Sequence, residues 1–102
     1  MPVLSPSVDV DVLHRVGTAL AHPTRSRILL QLLDGPGYPA ELADHLGLSR
    51  ANLSNHLTCL RDCGFVTATA QGRRVRYDIA DPRLAEAITL LGTLTLSPTC
   101  DS

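Results

Sequence analysis

Pro39-Ala-Glu-Leu-Ala-Asp-His-Leu-Gly-Leu-Ser-Arg-Ala-Asn-Leu-Ser-Asn-His-Leu-Thr-Cys-Leu-Arg-Asp-Cys63 decides how the rest of the chain is read. Leu42, Ala43 and Leu46 keep helical spacing in its first part, and Leu53, Leu57 and Leu60 do so in its second. Between them stands Gly47-Leu48-Ser49, a turn whose serine is a good N-cap for the helix that follows. Gly64 is a natural residue to end that second helix. A short helix, a glycine-containing turn and a second helix make a helix-turn-helix, whose second helix enters the DNA major groove.

Outward from this motif the pattern continues on both sides. Val12, Leu13, Val16, Ala19 and Leu20 predict a helix from Val8 to about Ala21. His22-Pro-Thr24 breaks it, and a second helix is expected from Pro23 to about Asp34, ended by Gly35-Pro-Gly37. Beyond Gly64 the period changes from helix to strand. Phe65 to Ala70 and Arg74 to Ala80 are β-type runs joined by Gln71-Gly-Arg73. Val75, Tyr77 and Ile79 alternate with Arg74, Arg76 and Asp78, which predicts a hairpin with one apolar and one arginine-bearing face. A hairpin in this place is a wing. Asp81-Pro82 opens a last helix expected to reach Leu96. Its leucines and alanines cover more than one stripe, and a homodimer seam is the simple use for the surplus. The expected fold is a mainly α winged helix-turn-helix over residues 8–96, with a loose segment 1–7 and a polar tail 97–102.

Composition bounds the function. The 102 residues suit one domain, and 44% hydrophobic content suffices for a core. No apolar run is long enough for a membrane span, and Met1 to Ser7 has no features of a signal peptide, so the cytoplasm is expected. The formal charge of −1 hides a strong asymmetry. Arg50, Arg61, Arg73, Arg74 and Arg76 face the single acid Asp62 between positions 50 and 76, a local balance of +4, while the remainder carries −5. Every basic residue is an arginine, the side chain that forks onto phosphates and guanine edges. With one Phe, two Tyr and no Trp, base stacking on aromatics is not the expected grip.

On a helical wheel Ala51, Asn55, Thr58 and Asp62 point most nearly away from the leucine stripe, Asn52, His56, Cys59 and Cys63 form a flank stripe, and Arg50 and Asn52 lie in the first turn. Ser49, Arg50, Asn52, Ser54, Asn55 and Thr58 are the candidates for base and phosphate contacts, and Arg73, Arg74 and Arg76 would set the wing against the DNA backbone or minor groove. The alternative is an ordinary solvated face, but such faces carry Glu and Lys, and this one has neither.

Cys59 and Cys63 lie on the same helix, four residues apart. The wheel sets them roughly 125° and 85° from the centre of the leucine stripe. Free cysteines are usually small core fillers, yet neither of these is a prime core position. Two thiols one turn apart can share a metal ion, and Cys100 on the polar tail is a candidate third ligand. Three thiolates favour cadmium, lead or zinc over magnesium, calcium or manganese. His56 shares the stripe, with helix packing or phosphate binding as its simpler roles. A thiol redox regulator of the same fold and a winged-helix module for protein partners remain rival readings. An enzyme fits least, because no nucleophile–base pair, phosphate loop or carboxylate dyad is brought together.

Ala19-Leu-Ala-His-Pro-Thr-Arg-Ser-Arg-Ile-Leu30, Leu48-Ser-Arg-Ala-Asn-Leu-Ser-Asn-His-Leu57, Cys63-Gly-Phe-Val66 and Gly72-Arg-Arg-Val-Arg-Tyr77 together resemble the ArsR/SmtB family. The likeness spans about residues 10 to 96. It implies a dimeric winged helix-turn-helix repressor that leaves its operator DNA when metal binds. Within the family the chain is most similar to the cadmium- and lead-sensing subtype, which implies Cys59, Cys63 and Cys100 as ligands. Glu41-Leu-Ala-Asp-His-Leu46 has no cysteine, unlike members that sense metal in the first helix of the motif. Asp81 to Leu96 has no histidine, unlike members that sense zinc or nickel at the dimer interface.

Overall fold

A computed structural model describes residues 7–97. The expected loose N-terminal segment (Ser7 apart) and the tail from Pro98, with Cys100, lie outside the described residues. Seven elements follow in order: α1 (Val10–Leu20), α2 (Pro23–Leu33), α3 (Pro39–Leu46), α4 (Arg50–Asp62), β1 (Val66–Gln71), β2 (Arg74–Ile79) and α5 (Pro82–Gly92).

Local chemistry sets the helix boundaries. Asp9 caps α1 by accepting from the Asp11 N–H at 2.9 Å, so that helix begins at Val10 rather than Val8. Prolines occupy the first turns of α2, α3 and α5, where their missing N–H costs nothing. Ser49 caps α4, its Oγ accepting from the Asn52 N–H at 3.0 Å. Gly47 closes α3 with φ +69°, a left-handed conformation that lets the chain reverse into α4 within three residues.

A second boundary also departs from the sequence expectation: α5 stops at Gly92, not Leu96. Glycine is costly inside a helix, by about 1 kcal/mol relative to alanine, and Thr93-Leu-Thr-Leu96 alternates β-branched with apolar residues. Thr93 takes the cap position, and its N–H donates to the Thr89 and Leu90 carbonyls.

The core lies where α2, α3 and α4 meet. Ile28, Leu29, Leu53, Leu57 and Leu60 are almost completely buried, surrounded by Leu32, Leu42, Ala43, Leu46, Phe65, Val66 and Ile88. The three α4 leucines are the stripe expected from the sequence. β1 and β2 form an antiparallel hairpin from Val66↔Ile79 to Gln71↔Arg74, closed by the two-residue loop Gly72-Arg73. Gly37, just before α3, adds a short third rung. Its N–H donates to the Tyr77 carbonyl at 2.9 Å, and the Tyr77 N–H donates back at 2.8 Å. The wing is thereby tied to the entrance of the helix-turn-helix.

Besides Val8, Leu30 and Val75, the exposed large apolar side chains gather on α1, α5 and the segment after it. Val10, Val12 and Leu13 of α1, Leu90 and Leu91 of α5, and Leu94 and Leu96 beyond it are all exposed.

Candidate nucleic-acid interface and thiol site

The α4 face directed away from the core carries Arg50, Asn52, Ser54, Asn55 and Thr58, all exposed together with the capping Ser49. Their exposure follows from the burial of Leu53, Leu57 and Leu60 on the opposite side. Short polar groups on an exposed helix face can reach base edges without steric conflict.

The wing arginines are not equivalent. Arg73 is exposed and has no ion pair among the described residues, as is true of Arg50. Arg74 pairs through Nη2 with Glu41 Oε2 on the first turn of α3, and its guanidinium lies 3.6 Å from the centroid of the Tyr38 ring. Arg76 is held in a fork by Asp78, at 2.9 Å from Nε and 3.2 Å from Nη2. Asp78 holds the Arg76 guanidinium above its usual range through that fork and through its charge. Of these three candidates for the DNA backbone, only Arg73 has no ion pair among the described residues. Arg50, Arg73 and Arg74 converge on one cleft of about 190 Å³, walled by Tyr38, Pro39 and Val75.

Cys59 and Cys63 are both exposed free thiols. Their backbones are linked by the Cys63 N–H donating to the Cys59 carbonyl at 3.0 Å, which keeps the helical turn regular between them. Both line a cleft of about 270 Å³ between α4 and α1, whose other walls include His14, Arg15, Thr18 and Arg25. Two arginines thus share this cleft with the two thiols. Cys63 also borders a second cleft of about 200 Å³ with Val12, Arg15, Asp81 and Leu84, at the start of α5. Among the described residues no group of three or more His, Cys, Asp and Glu side chains is gathered closely enough to hold a metal ion.

His56 faces inward from the same stripe. Its Nδ1 accepts from Arg25 Nε at 3.3 Å, and its ring meets that of His22 edge-on with centroids 4.7 Å apart. Burial, then the charges of His22 and Arg25, hold His56 below the ordinary imidazole range. With Nδ1 accepting, the ring proton resides on Nε2 in the neutral form. His56 is therefore a packing residue between α2 and α4, the simpler role expected of it. Arg25, His22, Tyr38 and Glu41 escaped the sequence reading. Each acts through a partner distant in the chain, and no local spacing signals such a pair.

Residues 22–68 match the family model described as a bacterial regulatory protein of the arsR family. The regulator CmtR of Mycobacterium tuberculosis is 57% identical over 89 residues, covering 87% of this chain and 75% of that protein. The chain belongs to the ArsR family. Two solved structures bear on this ArsR-family fold. The cadmium metal-sensor CMTR from Mycobacterium tuberculosis matches with a TM-score of 0.70 at 57% identity, over 88% of this chain and 93% of that one. The homodimeric winged helix-turn-helix DNA-binding domain of Mb0332 from Mycobacterium bovis matches with a TM-score of 0.77 at 30% identity, over 87% of each. This ArsR-family chain is thus a winged helix-turn-helix transcriptional regulator of the CmtR type, and its relatives are DNA-binding regulators rather than enzymes.

Proposed function

We propose that the protein is a cytoplasmic repressor that binds operator DNA as a homodimer and is released when cadmium or lead is bound by Cys59, Cys63 and Cys100. The observation that carries this reading is the exposed thiol pair on α4, the helix that also carries the DNA face. The cadmium-sensing relative lends the metal class. The donor set suits such an ion: soft sulfurs prefer cadmium, lead or zinc, and two thiols alone leave coordination incomplete. A ligand from outside the described residues is needed, and Cys100 supplies the missing thiol. It follows Gly92 by eight residues, a tether of at most about 29 Å when extended.

DNA contacts fall to Ser49, Arg50, Asn52, Ser54, Asn55 and Thr58 on and before α4, and to Arg73, Arg74 and Arg76 on the wing. A divalent ion held by three thiolates makes a centre of net charge about −1, and thiol protons are expelled as it forms. One negative charge is a modest electrostatic effect beside the phosphates. Release of DNA therefore depends chiefly on geometry, with the bound tail tied to the reading helix and the dimer held in a shape that fits DNA poorly. Useful regulation needs about 1–3 kcal/mol of coupling.

The test is fluorescence anisotropy of reduced protein on a duplex enriched from a random-sequence pool, with and without cadmium. Weakening by about 5- to 150-fold is expected. Equal affinity in both conditions overturns the sensor reading. Cys59→Ser and Cys63→Ser should each lose the thiolate-to-metal ultraviolet band, and Cys100→Ser should blunt the metal response while leaving DNA affinity intact.

A further inference from the structure

We infer that Glu41 restrains DNA binding by holding Arg74 of the wing on α3, so that the phosphate backbone gains this guanidinium only by displacing the carboxylate. The inference rests on the DNA-binding reading above and deepens it. Arg74 belongs to the cleft shared with Arg50 and Arg73, where three cations converge between α3, α4 and the wing. Two of them have no ion pair among the described residues, while Arg74 is engaged by Glu41 Oε2. Glu41 is thus the acid that answers this cluster, and it is contributed by the first turn of the helix-turn-helix.

The pair is built to be exchanged. Arg74 and Glu41 side chains are 54% and 69% exposed, and ion pairs in water are weak and screened by salt. A phosphate offers a guanidinium the same planar two-oxygen fork as a carboxylate. The Tyr38 ring beneath Arg74 keeps the guanidinium at the cleft whichever oxygen it faces, and Tyr38 is itself fixed by donating from Oη to Gln71 Oε1 at 2.8 Å. Glu41 also places a negative charge beside the cleft that phosphates would enter. Both effects lower affinity for DNA of any sequence, because phosphate contacts carry no sequence information. Restraining non-specific binding in this way helps a regulator find its operator among a large excess of other sites.

The experiment is a salt titration of reduced, metal-free protein on a random-sequence duplex of about 30 base pairs, roughly three helical turns. Wild type, Glu41→Gln, Arg74→Ala and the double variant are compared, with circular dichroism to verify the fold. Glu41→Gln is expected to bind about three- to tenfold tighter at low salt, while Arg74→Ala should flatten the log–log salt slope by about 0.9, the signature of one lost phosphate contact. Arg74→Ala should erase that gain in the double variant. Unchanged or weaker binding by Glu41→Gln, a slope that Arg74→Ala leaves unaltered, or a gain that survives Arg74→Ala each overturns the restraint. If wild type binds no duplex at any salt concentration, the DNA-binding reading falls, and the restraint with it. That outcome is distinct from binding that ignores Glu41.

Discussion

His56 is half-buried between Arg25 and His22, and its imidazole sits below the ordinary value of 6.5 because of burial first, then of these two neighbours. A histidine with a lower pKa in the folded state binds fewer protons there than in the unfolded chain. As pH falls below about 6.5 the unfolded state takes up protons first, and stability declines until the folded imidazole also titrates. Protonation would also remove the acceptor that Arg25 uses. His56→Gln keeps an acceptor without the titration, so its melting temperature should fall less than that of wild type between about pH 7.5 and pH 5.5. Parallel declines would acquit His56. None of this was legible from spacing, since Arg25 and His56 stand 31 positions apart. The exposure of Cys59 and Cys63, by contrast, was readable from the wheel, because helical geometry places every α4 side chain relative to its leucine stripe.

Among the elements, the tie between Gly37 and the wing depends on close approach. A Cβ at Gly37 would lie 2.6 Å from Leu32 Cδ2 and 2.8 Å from Leu42 Cδ1, both on buried leucines. Gly37→Ala must push these side chains aside or shift the strand that bonds Tyr77. A loss of about 1–3 kcal/mol is expected from overpacking, measurable by urea unfolding. A stability change below about 0.5 kcal/mol would mean that the site yields freely. Helix periods, caps and the hairpin alternation were visible in the sequence because each depends on neighbours within a few residues. The third rung at Gly37 and the clasp of Arg74 by Glu41 were not, because strand pairing and side-chain meetings between elements have no local signature.

In the whole molecule, the exposed apolar residues of α1, α5 and the segment after it point to a second copy of the chain. Leu13 is 59% exposed, Leu90 66% and Leu91 52%, although the last helix was amphipathic enough to bury Ile88. One of the similar solved structures is a homodimeric winged helix-turn-helix domain. Leu91→Asp should yield monomers by light scattering and weaken operator binding at least about tenfold, since a monomer engages only one half-site. A variant that stays dimeric would move the seam elsewhere. The early end of α5 belongs here too: leucines at 94 and 96 that the sequence assigned to a helix continue beyond it, still exposed. The amino-acid order alone was sufficient for the order of elements, the core stripe, the reading helix and its thiol pair, because period, capping and charge clustering act over one or two turns. Folding settled which wing arginines are held by acids among the described residues. It also settled that the thiols open onto α1 between Arg15 and Arg25, and that His56 faces α2 rather than solvent. Those outcomes depend on packing between segments about thirty residues apart, where geometry in three dimensions, not proximity along the chain, chooses the partner.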